Sequence, residues 1–310
     1  METLRAAIIG SFIGDSFNLA PHWNYNVTKL ERLYGRLTDI VDLPEDTYHT
    51  TRQAGEFTHY GDQAMWLLEY VSRNRSFDFE RFALTWQENM LDFDGYRDGA
   101  SKDTLDHFRS GRRQPSTSND LAGISRMAGL LLGHNLKDEQ ALVDAARELT
   151  AMTHGDPQVI DAAEFFMRLL FRVQAGESIS KAIKALSYRH FEALPAGEWI
   201  QKVRDLPEMT TPQAIVKLGQ TCHVDHAFQS TIYVLLKHGH SFEEAMIENT
   251  MGGGDNAARG MIIGLILGAV HGEDAIPLRW RQGTKALPHM EELIEAALPV
   301  SRFGSEKFDF

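Results

Sequence analysis

Residues Met261 to Ala269 read Met-Ile-Ile-Gly-Leu-Ile-Leu-Gly-Ala and carry no polar side chain. A stretch this apolar and this rich in small residues reads as a buried helix, one that needs other elements packed around it. It is entered through Met251-Gly252-Gly253-Gly254-Asp255-Asn256-Ala257-Ala258-Arg259-Gly260. Glycines let the backbone bend sharply and let a ligand come close. Asp255 or Asn256 then caps the helix by accepting from its free N–H groups. Those N–H groups also make a seat for phosphate. A carboxylate beside such a seat points to a metal or a polar ligand, and a capped helix with no ligand is the plain alternative.

The chain around this helix is of ordinary soluble composition, with 310 residues, 43% hydrophobic and 24% charged. Its formal net charge of −12 argues against general binding to nucleic acid, which needs clustered Lys and Arg. A small anionic ligand needs only a few local donors and stays open. The single cysteine, Cys222, excludes an intrachain disulfide and suits a reducing cytosol, so a cytoplasmic location is expected. Cys222 reads as a small core residue. No run of about 20 apolar residues is present, and no membrane span is expected.

Helical periodicity dominates. Gln63 to Arg73 sets Met65, Trp66, Leu67, Leu68, Tyr70 and Val71 on one broad apolar face. Similar patterns fall at 79–91, 120–133, 138–152, 157–175, 178–187, 212–218, 226–238, 242–249, 257–270 and 288–298. Asp156-Pro157 gives a cap followed by a first-turn proline. Ser241 with Glu244 has capping-box spacing. Gly10 and Gly14 form a Gly-x-x-x-Gly pattern suited to close helix packing. The segments 21–62 and 92–119 read as long loops. One compact multi-helix all-α domain over 1–310, with its core at about 5–300, is the expectation.

Four polar clusters stand at helix starts: Gly10–Phe17 with Pro21-His22-Trp23; Ala54–Gln63; Ser116–Gly123 with Thr153-His154-Gly155-Asp156-Pro157 later; and Gly252–Arg259. If these starts converge, they line one cavity with carboxylates, amides and positive helix ends, a site for a phosphorylated ligand with Mg²⁺.

Taken together, these pieces resemble the ADP-ribosylglycohydrolase family over about 5–282. The matching parts are Gly10-x-x-x-Gly14-Asp15, Thr153-His154 before Pro157, Gly253-Gly254-Asp255-Asn256, and Ile276-Pro277-Leu278-Arg279-Trp280. The resemblance implies a compact all-α fold. It also implies cleavage of an N- or O-glycosidic bond joining ADP-ribose to a protein side chain or other acceptor. In typical members two Mg²⁺ ions are held by a Thr-Asp-Asp-Thr run and a Gly-Gly-Asp-x-Asp-Ser/Thr run. Here Tyr60-Gly61-Asp62-Gln63 takes the first place, and Ala257 and Ala258 replace an acid and a hydroxyl of the second. Asp62 and Asp255 are left as metal ligands. Two buried metals would need about four acidic charges to offset them, so at most one Mg²⁺ is expected. A non-catalytic ADP-ribose or nucleotide binder, or a structural protein on the same fold, is the alternative to a hydrolase.

Within that frame Glu56 and Asp62 are the candidate catalytic pair, because glycosidic cleavage uses one group to protonate the leaving atom and another to activate water. Asp62 also suits the N-cap of 63–73. Candidate ligand contacts are Asp15, His22, Asn119, His154, Gly253, Gly254, Asn256 and Arg259. Asp15 also suits holding the His22 loop. Asn119 also suits capping 120–133, and His154 also suits bonding the preceding helix. Arg259 either replaces a metal's charge and grips pyrophosphate or pairs with Asp62 or Asp255. His22-Trp23, Tyr25 and Tyr34 are candidates to stack on adenine. An ADP-ribosylated or otherwise glycosylated small molecule or protein is the expected partner.

Overall fold

The computed structural model describes residues 2–133 and 138–297. The chain is built of helices with no sheet among the described residues, as the periodicity predicts. The first third contributes α1 (Glu2–Asn18), α2 (Val27–Tyr34), α3 (His59–Asn74), α4 (Phe79–Asp92) and α5 (Gly99–Arg109). A 3-10 helix, Leu121–Gly129, leads into the short α6 (Leu130–Gly133). Next come α7 (Glu139–Ala151), α8 (Pro157–Gln174), α9 (Ile179–Ser187), α10 (Ala196–Arg204) and α11 (Thr211–Leu218). The last third holds α12 (Val224–His238), α13 (Phe242–Met251), α14 (Asn256–His271), α15 (Leu278–Gly283) and α16 (Leu287–Ala297). Residues 298–300 of the expected core lie outside the described residues.

The centre of the fold is the pair α1 and α14, the most extensive helix contact in the molecule. Nearly every residue of both helices is buried. The reason is small side chains. A Cβ on Gly10 or Gly264 would overlap the other's carbonyl oxygen, and one on Gly14 would overlap that of Gly260. With glycine at these crossings the two backbones touch, and their larger side chains fan outward into the remaining helices. The Gly-x-x-x-Gly reading therefore holds, with a matching glycine row supplied by α14.

Three local expectations are corrected. The stretches 21–62 and 92–119 each hold a helix, α2 and α5, capped by Asn26 and Asp98. The helix expected over 120–133 is mostly 3-10, where Gly123 and Gly129 weaken α propensity. Gly123 also lies directly on the His154 ring, where a Cβ would not fit. The helix expected from Gln63 starts earlier, at His59, with Thr58 as N-cap. Asp62 is thus inside the first turn, and the helix start reads Thr58-His59-Tyr60-Gly61.

Candidate functional site

That earlier start brings His59 and Tyr60 to the ends of α5 and α14. Tyr60 donates its hydroxyl to Asp255 Oδ2 at 3.2 Å. His59 Nε2 lies 3.3 Å from Oδ2 of Asp98, the cap of α5. Asp255 caps α14 through Ala258 N–H at 3.5 Å. Asp120 caps the 3-10 helix through Ala122 N–H at 3.1 Å. One carboxylate oxygen each of Asp120 and Asp255 and the Cys222 sulfur all lie within 4.8 Å of one another. The helix starts do converge, and acids that cap them meet at the centre.

Electrostatics separate the two central acids. Burial, reinforced by the charge of Asp255, pushes Asp120 up to about 8. Burial also works against the charged form of Asp255, but the hydrogen bond from His22 and the charge of Arg259 hold it below the usual carboxylate range. At neutral pH Asp120 therefore carries a proton and Asp255 carries the charge. Burial, with both acids alongside, pushes the Cys222 thiol up, so it is not a ready nucleophile.

Behind Asp255 stands a chain of imidazoles. His22 Nε2 is 2.9 Å from Asp255 Oδ1, and His22 Nδ1 is 2.7 Å from His49 Nε2. Burial lowers both histidines from the ordinary value, so both are neutral. Trp23 stacks on His22 with ring centroids 4.2 Å apart. Trp23 holds the left-handed backbone, φ 60, rare for a bulky side chain. Paired backbone bonds pin it there: Trp23 N–H donates to Gly254 at 2.9 Å and Gly254 N–H donates to Asn24 at 2.8 Å. Gly254 has φ 69 and lies so close to Gln220 that no Cβ fits. A cleft of ≈ 350 Å³ beside this cluster is bordered by His22, Trp23, Tyr25 and Tyr48.

The remaining expected site residues fall in distinct places. Asp15 holds the start of α3, accepting from Thr58 rather than from the His22 loop. Arg259 is fully buried and forms no ion pair with Asp62 or Asp255; its Nε donates to Asn249 and a terminal nitrogen donates to the Gly253 carbonyl at 2.6 Å. It braces the glycine turn from within. Asn256 Nδ2 reaches the carbonyls of Pro21 and Thr250, each at 3.4 Å. His154 Nδ1 lies 2.9 Å from Thr153 Oγ1, whose hydroxyl also meets Arg126. Asn119 does not cap the 3-10 helix, since Asp120 does, and its carbonyl accepts from Val224 N–H at 2.8 Å.

Glu56 and Asp62 share a separate, wider cleft of ≈ 570 Å³ with Arg52, Trp66, Lys285 and His289. Arg52 donates to Asp62 Oδ2 through Nε at 3.1 Å and a terminal nitrogen at 3.0 Å. Burial outweighs this pairing and pushes Asp62 up to about 6. Glu56 accepts from Gln53 N–H at 2.8 Å and faces Lys285 at 3.4 Å. Asp62 is thus paired with a cation, and the acid gathered with Asp255 is Asp120.

This donor set does not fit a pair of magnesium ions. Mg²⁺ asks for free oxygens in an octahedron. Both oxygens of Asp255 already accept from His22 and Tyr60, and the helix start opposite offers an imidazole and a phenol instead of acids. The third member of the central group is a thiol, a soft ligand that suits other metals better than magnesium.

A model of the ADP-ribosylglycohydrolase family matches residues 1–305. The chain belongs to the ADP-ribosylglycohydrolase family. It is 25% identical to an uncharacterized protein of Archaeoglobus fulgidus, with 94% of each chain covered. It is 19% identical to crystallin J1A of the jellyfish Tripedalia cystophora, over 94% of this chain and 96% of the crystallin. Among solved structures it superposes on an ADP-ribosylglycohydrolase-related protein complex with a TM-score of 0.67 at 19% identity, covering 96% of this chain and 98% of the other. Among the described residues no helix is long and apolar enough to cross a membrane.

Asp255 and His22 are expected site residues from the sequence; His49, His59, Tyr60, Asp98 and Asp120 join them only in the structure. Asp98 and Asp120 carry a readable signal, an acid directly before a helical stretch. His49 carries none.

Proposed function

We propose that the protein hydrolyses an N- or O-glycosidic bond of an ADP-ribosyl or related substrate without a magnesium pair. The observation that supports this reading most is the Asp120–Asp255 pair, two neighbouring acids whose surroundings push their proton affinities apart. Such a split assigns an acid and a base. Glycosidic cleavage needs a proton on the leaving atom and negative charge beside the sugar as positive charge develops there. Asp120, partly open to solvent, delivers the proton. Asp255, oriented by His22 and Tyr60, supplies the charge. Glu56 and Asp62, in the neighbouring cleft, flank the acceptor side, with Arg52 and Lys285 neutralising them.

The test is release of ADP-ribose from a panel of N-linked and O-linked ADP-ribosyl compounds, run in a chelator and again with Mg²⁺. Release in the chelator, lost in D120N, is the expected result. Release only with Mg²⁺ would overturn the metal-free part, and no release from any linkage would overturn hydrolysis. A second reading, a binder without turnover, draws on the engagement of both Asp255 oxygens by protein donors. It predicts ADP-ribose binding by calorimetry with no product.

A further inference from the structure

A further cleft, of ≈ 180 Å³, opens between α4, the end of α5 and the end of α7. It shares no lining residue with the clefts at His22 and at Asp62. Its apolar walls are Phe79, Ala83, Leu84, Phe108, Pro115 and Met152. Most of them are fixed by packing. Phe79, Ala83 and Phe108 lie against the core, and Phe108 meets the buried Trp86 edge-on at 6.2 Å. Pro115 lies so close to Gly155 that a Cβ there would overlap its ring. Met152, itself buried, forms the floor. An apolar cavity of about 150 Å³ takes one benzene ring, so this cleft has room for a single ring or a branched alkyl chain.

The rim adds a second requirement. Only two of the lining side chains are charged, Glu80 on α4 and Arg113 on the segment after α5. Arg113 donates to Glu80 Oε2 at 2.6 Å. With these side chains 66% and 75% exposed, water competes for both, and the pair is held loosely. A lone carboxylate that approaches Arg113 meets the like charge of Glu80 beside it. A lone amine that approaches Glu80 meets Arg113. A head group with both charges on neighbouring atoms satisfies the two side chains at once. Joined to an apolar group that fills the cleft, such a head group is that of an α-amino acid.

We infer that this cleft is a binding site for an apolar α-amino acid of about the size of phenylalanine. Its side chain lies between Phe79, Phe108 and Met152, its carboxylate on Arg113 and its ammonium on Glu80. Such binding needs neither the Asp120–Asp255 pair nor turnover.

The experiment is calorimetric titration of the full chain with L-phenylalanine, together with NMR of methyl-labelled methionine to follow Met152. Phenylacetate and phenethylamine, each lacking one charge, and serine, lacking the apolar group, are the comparison ligands. Phenylalanine is expected to saturate one site and to shift the Met152 methyl signal. Each comparison ligand is expected to bind at least about tenfold more weakly, the worth of one hydrogen bond to a charged group. R113Q and E80Q should each weaken phenylalanine binding by a similar factor. Both positions are exposed, so the melting temperature should stay that of the parent. No shift of Met152 up to the solubility limit of phenylalanine, or a shift confined to other methionines, overturns the site. Equal affinity for the singly charged ligands, or unchanged binding in both R113Q and E80Q, overturns it as well.

Discussion

Asp15, near the end of α1, holds Thr58, the cap of α3, twice: Oδ2 accepts the Thr58 amide at 2.7 Å and Oδ1 accepts its hydroxyl at 2.6 Å. Burial pushes Asp15 up to about 7 even so. An unfolded Asp titrates near ~3.9. The folded state therefore binds this proton more tightly than the unfolded state, and stability falls as pH rises between those values. Asp62, raised to about 6, and Asp120, raised to about 8, act in the same direction. The buried histidines His22, His49 and His154, lowered by burial, act the other way at the acid end of the window, so the readout is a difference. In urea unfolding from pH 4 to 8, D15N is expected to gain stability relative to the parent as pH rises. An equal slope in the variant would show that Asp15 titrates normally.

The Asp120 proton sets an alkaline limit on activity. With its carboxyl pushed up to about 8, turnover is expected to fall as pH passes that value. D120N is expected to lose roughly 10²-fold or more in kcat, the usual contribution of a general acid. The alkaline limb should vanish with it. A profile that keeps its limb in D120N would place the acid elsewhere, with Asp62 the next candidate.

Arg259 braces the turn that presents Asp255. R259M keeps the length of the side chain but removes the donors to Gly253 and Asn249. Leaving buried acceptors unpaired costs roughly 1–3 kcal/mol. Denaturant unfolding reads this directly. An unchanged midpoint with weakened ADP-ribose binding would instead mark Arg259 as a ligand contact.

The α1–α14 seam tolerates no added volume. G264A puts a methyl group into the Gly10 carbonyl. Overpacking of this kind costs about 1–3 kcal/mol or more. The melting temperature should drop, and a variant as stable as the parent would mean that the helices separate easily.

Magnesium is expected to leave the melting temperature unchanged, because a ligand stabilises only as far as it binds the native state. A rise that grows with Mg²⁺ concentration would restore a single-ion site on Asp255 or Asp62.

The all-α fold was legible because helical periodicity is local, and the glycine row and acid-capped α14 are written in consecutive residues. Asp255 was legible for the same reason. Its partners were not. His49 lies in a stretch without periodicity, and it meets His22 only once the 35–58 segment is folded over Trp23. Tyr60 and His59 were hidden by a register error. The apolar pattern from Met65 onward suggested a start at Gln63, whereas Asp15, distant in sequence, selects Thr58 as the cap. The Asp62–Arg52 pairing was also illegible, since nothing in a ten-residue separation says that the two side chains turn toward each other.

The glycine seam also fixes an order of events during synthesis. The helix Glu2–Asn18 is made long before its permanent partner, Asn256–His271. Until then a helix whose residues are almost all destined for burial has no lasting surface to lie against, and exposed core segments invite aggregation. The nascent chain has to shelter this helix among the intervening elements until its glycine-matched partner has been made.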